Sequence, residues 1–431
     1  MVAVLHLYLC ALPAAIGRHK TEDLEPAYDW LKSLTSRSLV LNVKKFGATG
    51  DGISKDTLAV EKAVAAISLA GSGTIYFPPG RYLLAPFNLT SHCTMYIDAR
   101  ANLIASTDIK DWNLIPALPS YGQGKRGGLY RYISFIHGEN LVDVIITGSN
   151  GTIDGQGSAW WGNRGQIFTP PHLIEIMSSR HVEVSNLTLR NSPFWTVHPV
   201  YVQGFVARNL TILNPTKVMN TDGIDPDSSI NVLIESCYIQ VGDDAIAIKS
   251  GWDEYGYEYG MPSRNISIKN CFLSTPCAAV AIGSEMSGGV SDVYITETRM
   301  WMSTAGVHIK SGAGRGGYVR NVLLERSTLD KCVTGIMIDC DENHHPENRG
   351  NHHVNLSALP SISHVAVRDV RGRGSRVVAK LGCLARAPVS EVAFDSVFFD
   401  SGIFECTTIS GKSRDVYPRP CRQLEGGRDE P

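Results

Sequence analysis

The sequence predicts an all-β chain folded as a single-stranded parallel β-helix, a solenoid in which each coil contributes several short strands. Three observations favour this fold. A short strand-like phrase recurs from residue 140 towards the C-terminus. No segment with the length and periodicity of a helix separates the repeats, which disfavours folds of alternating strands and helices. The 431 residues include 41 glycines and only 19% charged residues, a composition that suits a long β-sheet architecture.

Each repeat consists of a polar turn, a few alternating apolar residues and another polar residue. Consecutive repeats are 24 to 43 residues apart, a period typical of solenoids, and alternation over so few residues indicates strands. The basic unit of about 25 residues fits one coil of three short strands better than a propeller blade of four. The longer intervals are then coils with inserted loops. The nine anchor positions are Val144, Val182, Val206, Val232, Ile266, Val293, Val322, Val365 and Val392.

A solenoid needs cover at its open ends. Residues 56–68 combine a helix start at Asp56 and Thr57 with apolar residues at helical spacing. We expect a short amphipathic helix here, capping the N-terminal end of the stack. Its buried face is predicted to consist of Leu58, Val60, Val64 and Ile67.

The N-terminal residues 1–17 are apolar and end in small residues, like a signal peptide without its basic start. An imprecise gene start or a buried strand is the alternative. We expect a signal or N-terminal segment at 1–38, a β-helix catalytic domain at 39–421 and a C-terminal tail at 422–431.

In a secreted chain, the six N-x-S/T sequons are glycosylation sites. Three of them fall in repeat turns, where the Asn side chain can instead form hydrogen bonds with the backbone.

The remaining composition narrows the class of protein. A net charge of −2 gives no excess of basic residues of the kind that binds nucleic acid. No apolar run reaches the roughly 18 residues of a membrane span.

The ten cysteines include no C-x-x-C pair, so a zinc ribbon is not expected. Loss of Cys10 with a signal peptide would leave nine, so at least one thiol should be free. We expect Cys406 and Cys421 to form a disulfide, worth about 3 kcal/mol in the chain-entropy model.

Two acidic clusters stand out, Asn220-Thr221-Asp222-Gly223-Ile224-Asp225 and Gly242-Asp243-Asp244. Asp222 and Asp244 are 22 residues apart, close to one coil, and residues one coil apart stack about 4.8 Å from each other. Converging carboxylates are costly unless they bind a metal, share protons or perform acid–base chemistry. Turn capping and a calcium site are the alternatives. Asp225, which precedes Pro226, is predicted to be mainly structural.

Basic residues follow in the next coils. In Gly306-Val307-His308-Ile309-Lys310, alternation places His308 and Lys310 on one face, where they could hold an anionic substrate. The alternative is that both are solvated surface residues. Lys249 follows the Asp pair at a spacing that does not determine its face, and it is a weaker candidate.

These motifs resemble the polygalacturonases of glycoside hydrolase family 28, especially the plant members. The resemblance runs in order over roughly residues 40–421. The family's Gly-His-Gly is Cys277-Ala278-Ala279 here, and its Arg-Ile-Lys is His308-Ile309-Lys310. The matching segments are FGATGDG at 46–52, FPPGRY at 77–82, ITGSNGTIDGQGSAWW at 146–161, NTDGID at 220–225, GDDAIAIKSG at 242–251, AIGSEMSGGV at 281–290 and GVHIKSGAGRGGYVRNV at 306–322.

The resemblance implies a right-handed β-helix that hydrolyses α-1,4-galacturonosyl bonds in pectin with inversion. It implies that Asp243 is the general acid, that Asp222 and Asp244 activate water, and that Lys310, with His308 and Asn220, binds substrate. No cofactor and no metal is expected. The expected partner is an acidic polysaccharide outside the cell, and the chain is expected to be a monomer. A non-catalytic pectin-binding protein and a calcium-dependent pectate lyase remain as alternatives.

Overall fold

A computed structural model describes residues 37–124, 128–162, 167–346 and 354–425. The segment predicted as a signal lies outside these residues, apart from Arg37 and Ser38. Neither α-helix in the described part of the chain has the length and apolar character needed to cross a membrane.

The described strands form three long parallel ladders, in which each strand pairs with its counterpart on the preceding and following coils. This is the predicted parallel β-helix. The first ladder contains Val40–Asn42, Gly73–Phe77, Cys93–Ile97, Val142–Gly148, Arg180–Ser185, Gln203–Arg208, Ile230–Glu235, Ser263–Lys269, Val290–Thr296, Tyr318–Glu325, Ser361–Arg373, Val389–Phe399 and Ile409–Tyr417.

The second ladder joins the first where one long strand, Ser361–Arg373, pairs with both. Its own strands are Asp51–Lys55, Gly80–Leu84, Ala101–Ala105, Gly151–Asp154, Leu187–Arg190, Thr211–Leu213, Tyr238–Gln240, Phe272–Ser274, Arg299–Trp301 and Thr328–Asp330.

The third ladder is interrupted once, between its fourth and fifth strands. Single bridges at Ile224 and Asp227 connect the two parts. Its strands are Phe87–Asn88, Ile136–Glu139, Ile174–Met177, Val197–Val200, Ile246–Ile248, Ala278–Ile282, Ala305–Lys310, Thr334–Asp339, Val377–Leu381 and Ile403–Cys406.

The remaining elements lie between coils or at the ends. An antiparallel hairpin pairs Leu114–Pro116 with Tyr130–Tyr132. Besides two α-helices, there are short 3₁₀ helices at Val43–Phe46, Ile109–Asp111, Gly157–Ala159 and Arg422–Leu424.

The interior of the coils is filled by columns of apolar side chains in register. One column follows the predicted anchors closely, because Val144 pairs with Val182, and Val232 with Ile266. The anchor at Val206 was wrong by one residue, since Phe205 pairs with Val182. Both Phe205 and Val206 are fully buried, so burial in this strand does not alternate and the sequence pattern could not separate them.

Helix α1 (Thr57–Ala70) is the predicted helix near the N-terminal end. Asp56 precedes it and accepts hydrogen bonds from the backbone N–H groups of Thr49 and Gly50. The prediction that Leu58 is buried was wrong, because that side chain is 61% exposed. The apolar face is rotated instead toward Ala59, Val60, Ala63 and Ile67. Helix α2 (Asp253–Tyr259) lies in a loop between two coils.

The C-terminal coils are cross-linked. The predicted Cys406–Cys421 disulfide is present, and a second, unpredicted one joins Cys340 to Cys383. Five cysteines of the described residues carry free thiols, in agreement with the expectation of at least one. Leu424 is fully buried, so the packed structure continues beyond Cys421 into the segment predicted to be a tail.

The two faces of helix α1 predict opposite mutational effects. Ile67→Ala should lower the free energy of unfolding by about 2–5 kcal/mol, because it empties a fully buried site. Leu58→Ala, on the exposed face, should change it by less than about 0.5 kcal/mol. Urea denaturation of both variants measures the difference, and equal losses would contradict this orientation of the helix.

Candidate active site

The site lies where the third ladder is irregular. Ile224 bridges Val197 on the preceding coil and Ile246 on the following one. The N–H of Gly223 donates to the carbonyl of Asp244 at 3.0 Å. Asp222 and Asp244 are therefore on adjacent coils, as their spacing predicted. They converge because this coil is among the shortest in the chain and carries no inserted loop.

Asp243 is the most accessible of the three predicted catalytic carboxylates. Its Oδ2 accepts hydrogen bonds from the backbone N–H of Asn220 at 2.7 Å and from the Asn220 side-chain amide at 3.4 Å. Its Oδ1 accepts from the backbone N–H of Asp244 at 3.0 Å. Asn220 has a φ of 59°, a left-handed conformation that Asn tolerates well. Asn220, predicted to bind substrate, thus orients Asp243 here.

Asp244 is ion-paired with Lys310. Its Oδ2 accepts from Lys310 Nζ at 2.7 Å, and its Oδ1 accepts from the backbone N–H of Ala278 at 3.0 Å. Burial would raise the pKa of Asp244, but the charge and hydrogen bond of Lys310 outweigh it and lower that pKa. Asp244 is therefore held ionised by Lys310.

Asp222 and Asp225 are almost completely buried. Within the described structure, Oδ1 of Asp222 and both carboxyl oxygens of Asp225 have no hydrogen-bond partner. Burial raises the pKa of both groups well above the usual range, and neighbouring carboxylates add to it, Asp243 for Asp222 and Asp222 for Asp225. Both acids therefore retain protons where Asp244 does not. Asp225, predicted to be structural, belongs to the acidic cluster itself.

Lys249 is buried beside the same acids. The sequence spacing did not determine on which face of its strand this side chain lies, and the structure places it on the face of the acidic cluster. Its Nζ lies 3.2 Å from Glu285 Oε2 and 4.0 Å from Asp225 Oδ1. The ammonium also lies 4.5 Å from the centre of the Trp195 ring, a cation–π contact. Lys249 is thus an internal counter-charge of the acidic cluster.

His308 and Lys310 do share the outward face, since Ile309 between them is buried. The sequence did not reveal the partner of His308: its Nε2 lies 3.0 Å from Asp339 Oδ2. Asp339 sits opposite Lys310 on the next coil. The segments Gly-Val-His-Ile-Lys at 306–310 and Gly-Ile-Met-Ile-Asp at 335–339 share the pattern Gly-x-x-Ile-x. Aligning them would have placed Asp339 opposite Lys310 from the sequence alone.

A second polar cluster, also missed from the sequence, lies on earlier coils of the same face. Glu175 accepts two hydrogen bonds of 2.8 Å from Arg131 and one of 2.9 Å from His198 Nδ1. Tyr121 donates to Asp227, which is 3.4 Å from His198 Nε2. These residues are buried, and the cluster connects the third ladder to the segment that covers it.

Two groups in the described structure have the residue types of a metal site, namely His172, Glu175 and His198, and Asp243, Asp244 and Cys277. Each already contains a paired cation, Arg131 on Glu175 and Lys310 on Asp244. Burial, with Asp243 and Asp244, raises the pKa of the Cys277 thiol to about 12, and a metal requires the deprotonated thiolate. Neither group therefore suits a divalent cation in this protonation state.

Comparison with known proteins identifies the family of this chain. The sequence profile of the glycosyl hydrolases family 28 matches residues 74–414. The chain belongs to this family. A probable polygalacturonase from Vitis vinifera is 39% identical over 437 residues, covering 98% of this chain and 88% of that protein.

Solved structures show the same fold. The exopolygalacturonase of Thermotoga maritima superposes with a TM-score of 0.79 at 22% identity, covering 91% of this chain and 95% of that one. The polygalacturonase of Erwinia carotovora superposes with a TM-score of 0.70 at 26% identity, covering 88% and 96%. The glycosidase fold predicted from the sequence is thereby confirmed.

The buried acid Asp225 generates a pH-dependent prediction. Its pKa is raised in the folded protein, so above about pH 4, where an unfolded Asp ionises, folding costs free energy that grows with pH. Asp225→Asn removes this cost. We expect the variant to be more stable than the wild type at pH 7, on the order of 1–3 kcal/mol, and equally stable at pH 3.

Thermal unfolding of both proteins between pH 3 and 7 measures the effect. A stability difference that is constant with pH, or largest at pH 3, would show that Asp225 is ionised in the folded protein.

Proposed function

We propose that this protein is a secreted hydrolase that cleaves α-1,4-galacturonosyl linkages in pectin by acid–base catalysis. The observation that carries the proposal is the geometry of one small acidic cluster. Lys310 donates to Asp244 at 2.7 Å and holds it ionised, while the partly accessible Asp243 is oriented beside it by Asn220 and the N–H of Asp244. Hydrolysis of a glycosidic bond needs one carboxyl group to donate a proton and one carboxylate to activate water.

Asp243 is assigned as the general acid because of its access to substrate. Asp222 and Asp244 are 3% and 2% exposed, whereas Asp243 is partly accessible. Only Asp243 of the three can approach the leaving oxygen without a rearrangement. Its orientation is fixed by the hydrogen bonds that it accepts from the backbone N–H groups of Asn220 and Asp244.

Asp244 is assigned as the base that activates the attacking water, and Asp222, which retains its proton, is assigned to hold that water by a hydrogen bond. An ionised carboxylate can accept a proton from water as the bond to the sugar carbon forms. The nearest carboxyl oxygens of Asp243 and Asp244 are within 4.8 Å of each other, closer than the roughly 6.5–9.5 Å between the acid and base of inverting enzymes. Inversion therefore rests on the family resemblance, and NMR of the first-formed anomer tests it.

The substrate class and location rest on the relatives. Several relatives are named polygalacturonases, including the plant protein from Vitis vinifera, and this supports an acidic cell-wall polysaccharide as substrate. The apolar start of the chain supports export. We further propose that the protein acts as a monomer.

Two other functions remain to be separated by experiment. A pectin-binding protein without turnover would keep the acids but release no product. A lyase would need a calcium ion and an Arg base beside it, and the acidic cluster is paired with Lys310 and Lys249 instead.

One assay distinguishes the three. The protein is incubated with pectic substrates of low and high methyl-ester content, with and without EDTA. We expect new reducing ends, no absorbance from unsaturated sugars and no effect of EDTA. EDTA-sensitive unsaturated products would identify a lyase, and binding without any product would identify a carbohydrate-binding protein.

The acid assignment predicts the behaviour of Asp243→Asn. We expect kcat to fall by about 10²–10⁴-fold, while the Kd for oligosaccharide changes little, because the amide keeps the shape but cannot donate the proton. Asp395→Asn, on the outer surface where Asp395 pairs with Arg414 at 2.8 Å, is the matched control and should keep full activity. A variant at position 243 that retains a tenth of wild-type kcat rules out this acid.

A further inference from the structure

The outer face of the third ladder is buried on one side of the acidic cluster and accessible on the other. On the coils before Asp222, the outward positions of one register row are at most 5% exposed, namely His137, Glu175 and His198. From the second coil after Asp244, the positions of this row are partly or fully exposed, namely His308, Met337, Lys380 and Glu405. In the described structure, the surface on which a polysaccharide can lie therefore extends from the acids toward the C-terminal coils.

A covering segment, residues 117–124, buries the N-terminal part of this face. Its Leu118 and Tyr121 pack in one apolar cluster with Tyr201 and Trp252. Tyr201 follows the strand on the coil before the acidic cluster, and Trp252 lies in the loop after it. The covering segment is therefore packed against the molecule on both sides of the acids.

Hydrogen bonds fix the same segment in place. Tyr121 donates to the carboxylate of Asp227 at 2.5 Å, and the hydroxyl groups of Ser120 and Tyr201 are 2.6 Å apart. The carbonyl of Ser120 accepts from the backbone N–H of Trp252 at 2.8 Å. All of these residues are at most 6% exposed, so the covering segment is part of the packed structure.

Aromatic side chains occupy the coil next to the acids. Thr196 lies directly before Asp222 in the stack, since its N–H donates to the Asp222 carbonyl at 2.9 Å. The neighbouring Trp195 is only 5% exposed, and its ring centre lies 4.5 Å from Lys249 Nζ. Trp195 and Tyr121 of the covering segment line the same small cavity. Trp195 and the covering segment thus form a wall where a polysaccharide continuing past the acids would have to lie.

We propose that the enzyme cleaves pectin from a chain end, with the terminal sugar against this wall and the rest of the chain over the coils after Asp244. This rests on the proposed function and specifies which part of the polymer binds. An internal bond could reach Asp243 only if the chain continued in both directions, and the wall excludes one of them by steric clash. The covering segment thereby determines the specificity for chain ends.

The products of the wild-type enzyme test this proposal on the pectic polymer that it hydrolyses fastest. We expect one short product from the first time point, with the viscosity falling slowly relative to the release of reducing ends. A ladder of intermediate sizes with an early fall in viscosity would overturn the proposal, while the hydrolase function would stand.

Binding measures the same property without turnover. Asp243→Asn is titrated by calorimetry with short and with much longer oligogalacturonides of defined length. We expect one protein molecule per chain at both lengths, because each chain offers the same end. Several protein molecules on each longer chain would overturn the proposal. If the wild type hydrolyses nothing, the proposed function fails, yet one protein per chain would still support binding at an end.

A variant of the covering segment locates the effect. Tyr121→Ala should raise the fraction of longer products about tenfold, because losing a buried hydrogen bond shifts a local opening equilibrium by such a factor. Tyr121→Phe, which keeps the ring, should raise it less. Tyr130→Ala, at a side chain that is 50% exposed on the adjacent hairpin, is the matched control and should leave the products unchanged. An unchanged product pattern in folded Tyr121→Ala would contradict the role of the covering segment.

Discussion

Backbone hydrogen bonds between successive coils determine which side chains become neighbours in this molecule. Along the third ladder, the pairing of Ile224 with Ile246 and of Ile309 with Ile338 brings together residues 22 and 29 positions apart. Every feature of the site follows from this register. A shift of one residue would turn Asp244, Lys310 and Asp339 into the apolar interior, where a charge has no solvent and no partner.

Among the acids that this register brings together, the ammonium group of Lys310 makes the pKa of one differ from that of another. Lys310 contacts Asp244 and holds it ionised, whereas Asp222, which lacks such a contact, is kept protonated by burial and by Asp243. Similar residues thus acquire different proton affinities through their positions relative to one lysine. Asn220 contributes in another way, because its hydrogen bonds fix the orientation of Asp243.

The sequence was sufficient to predict the features that depend on local pattern or on a short coil. The strand repeat, the stacking of Asp222 on Asp244 and the shared face of His308 and Lys310 are of this kind. Val206 was placed wrongly because Phe205, Val206 and Ala207 are all buried, which removes the alternation that shows the phase of a strand. Leu58 was placed wrongly because the alanines of helix α1 form its buried face, and alanine gives a weak apolar signal.

Contacts between coils separated by inserted loops could not be predicted. Arg131 with Glu175, and Cys340 with Cys383, are 44 and 43 residues apart, and no single period connects them. Asp339 was missed because its role depends on a neighbour, His308, rather than on any motif of its own.

The Cys340–Cys383 disulfide begins one residue after Asp339 and joins its coil to the next. Coils of a solenoid contact only their neighbours, so such a chain can fray progressively from an end. With Cys406–Cys421 joining the last described segments, two covalent links hold the carboxy-terminal coils together. Fraying of the stack is therefore expected to begin at its other end, where the described coils are held by backbone hydrogen bonds and packing alone. Reduction of the two disulfides would remove this difference between the ends.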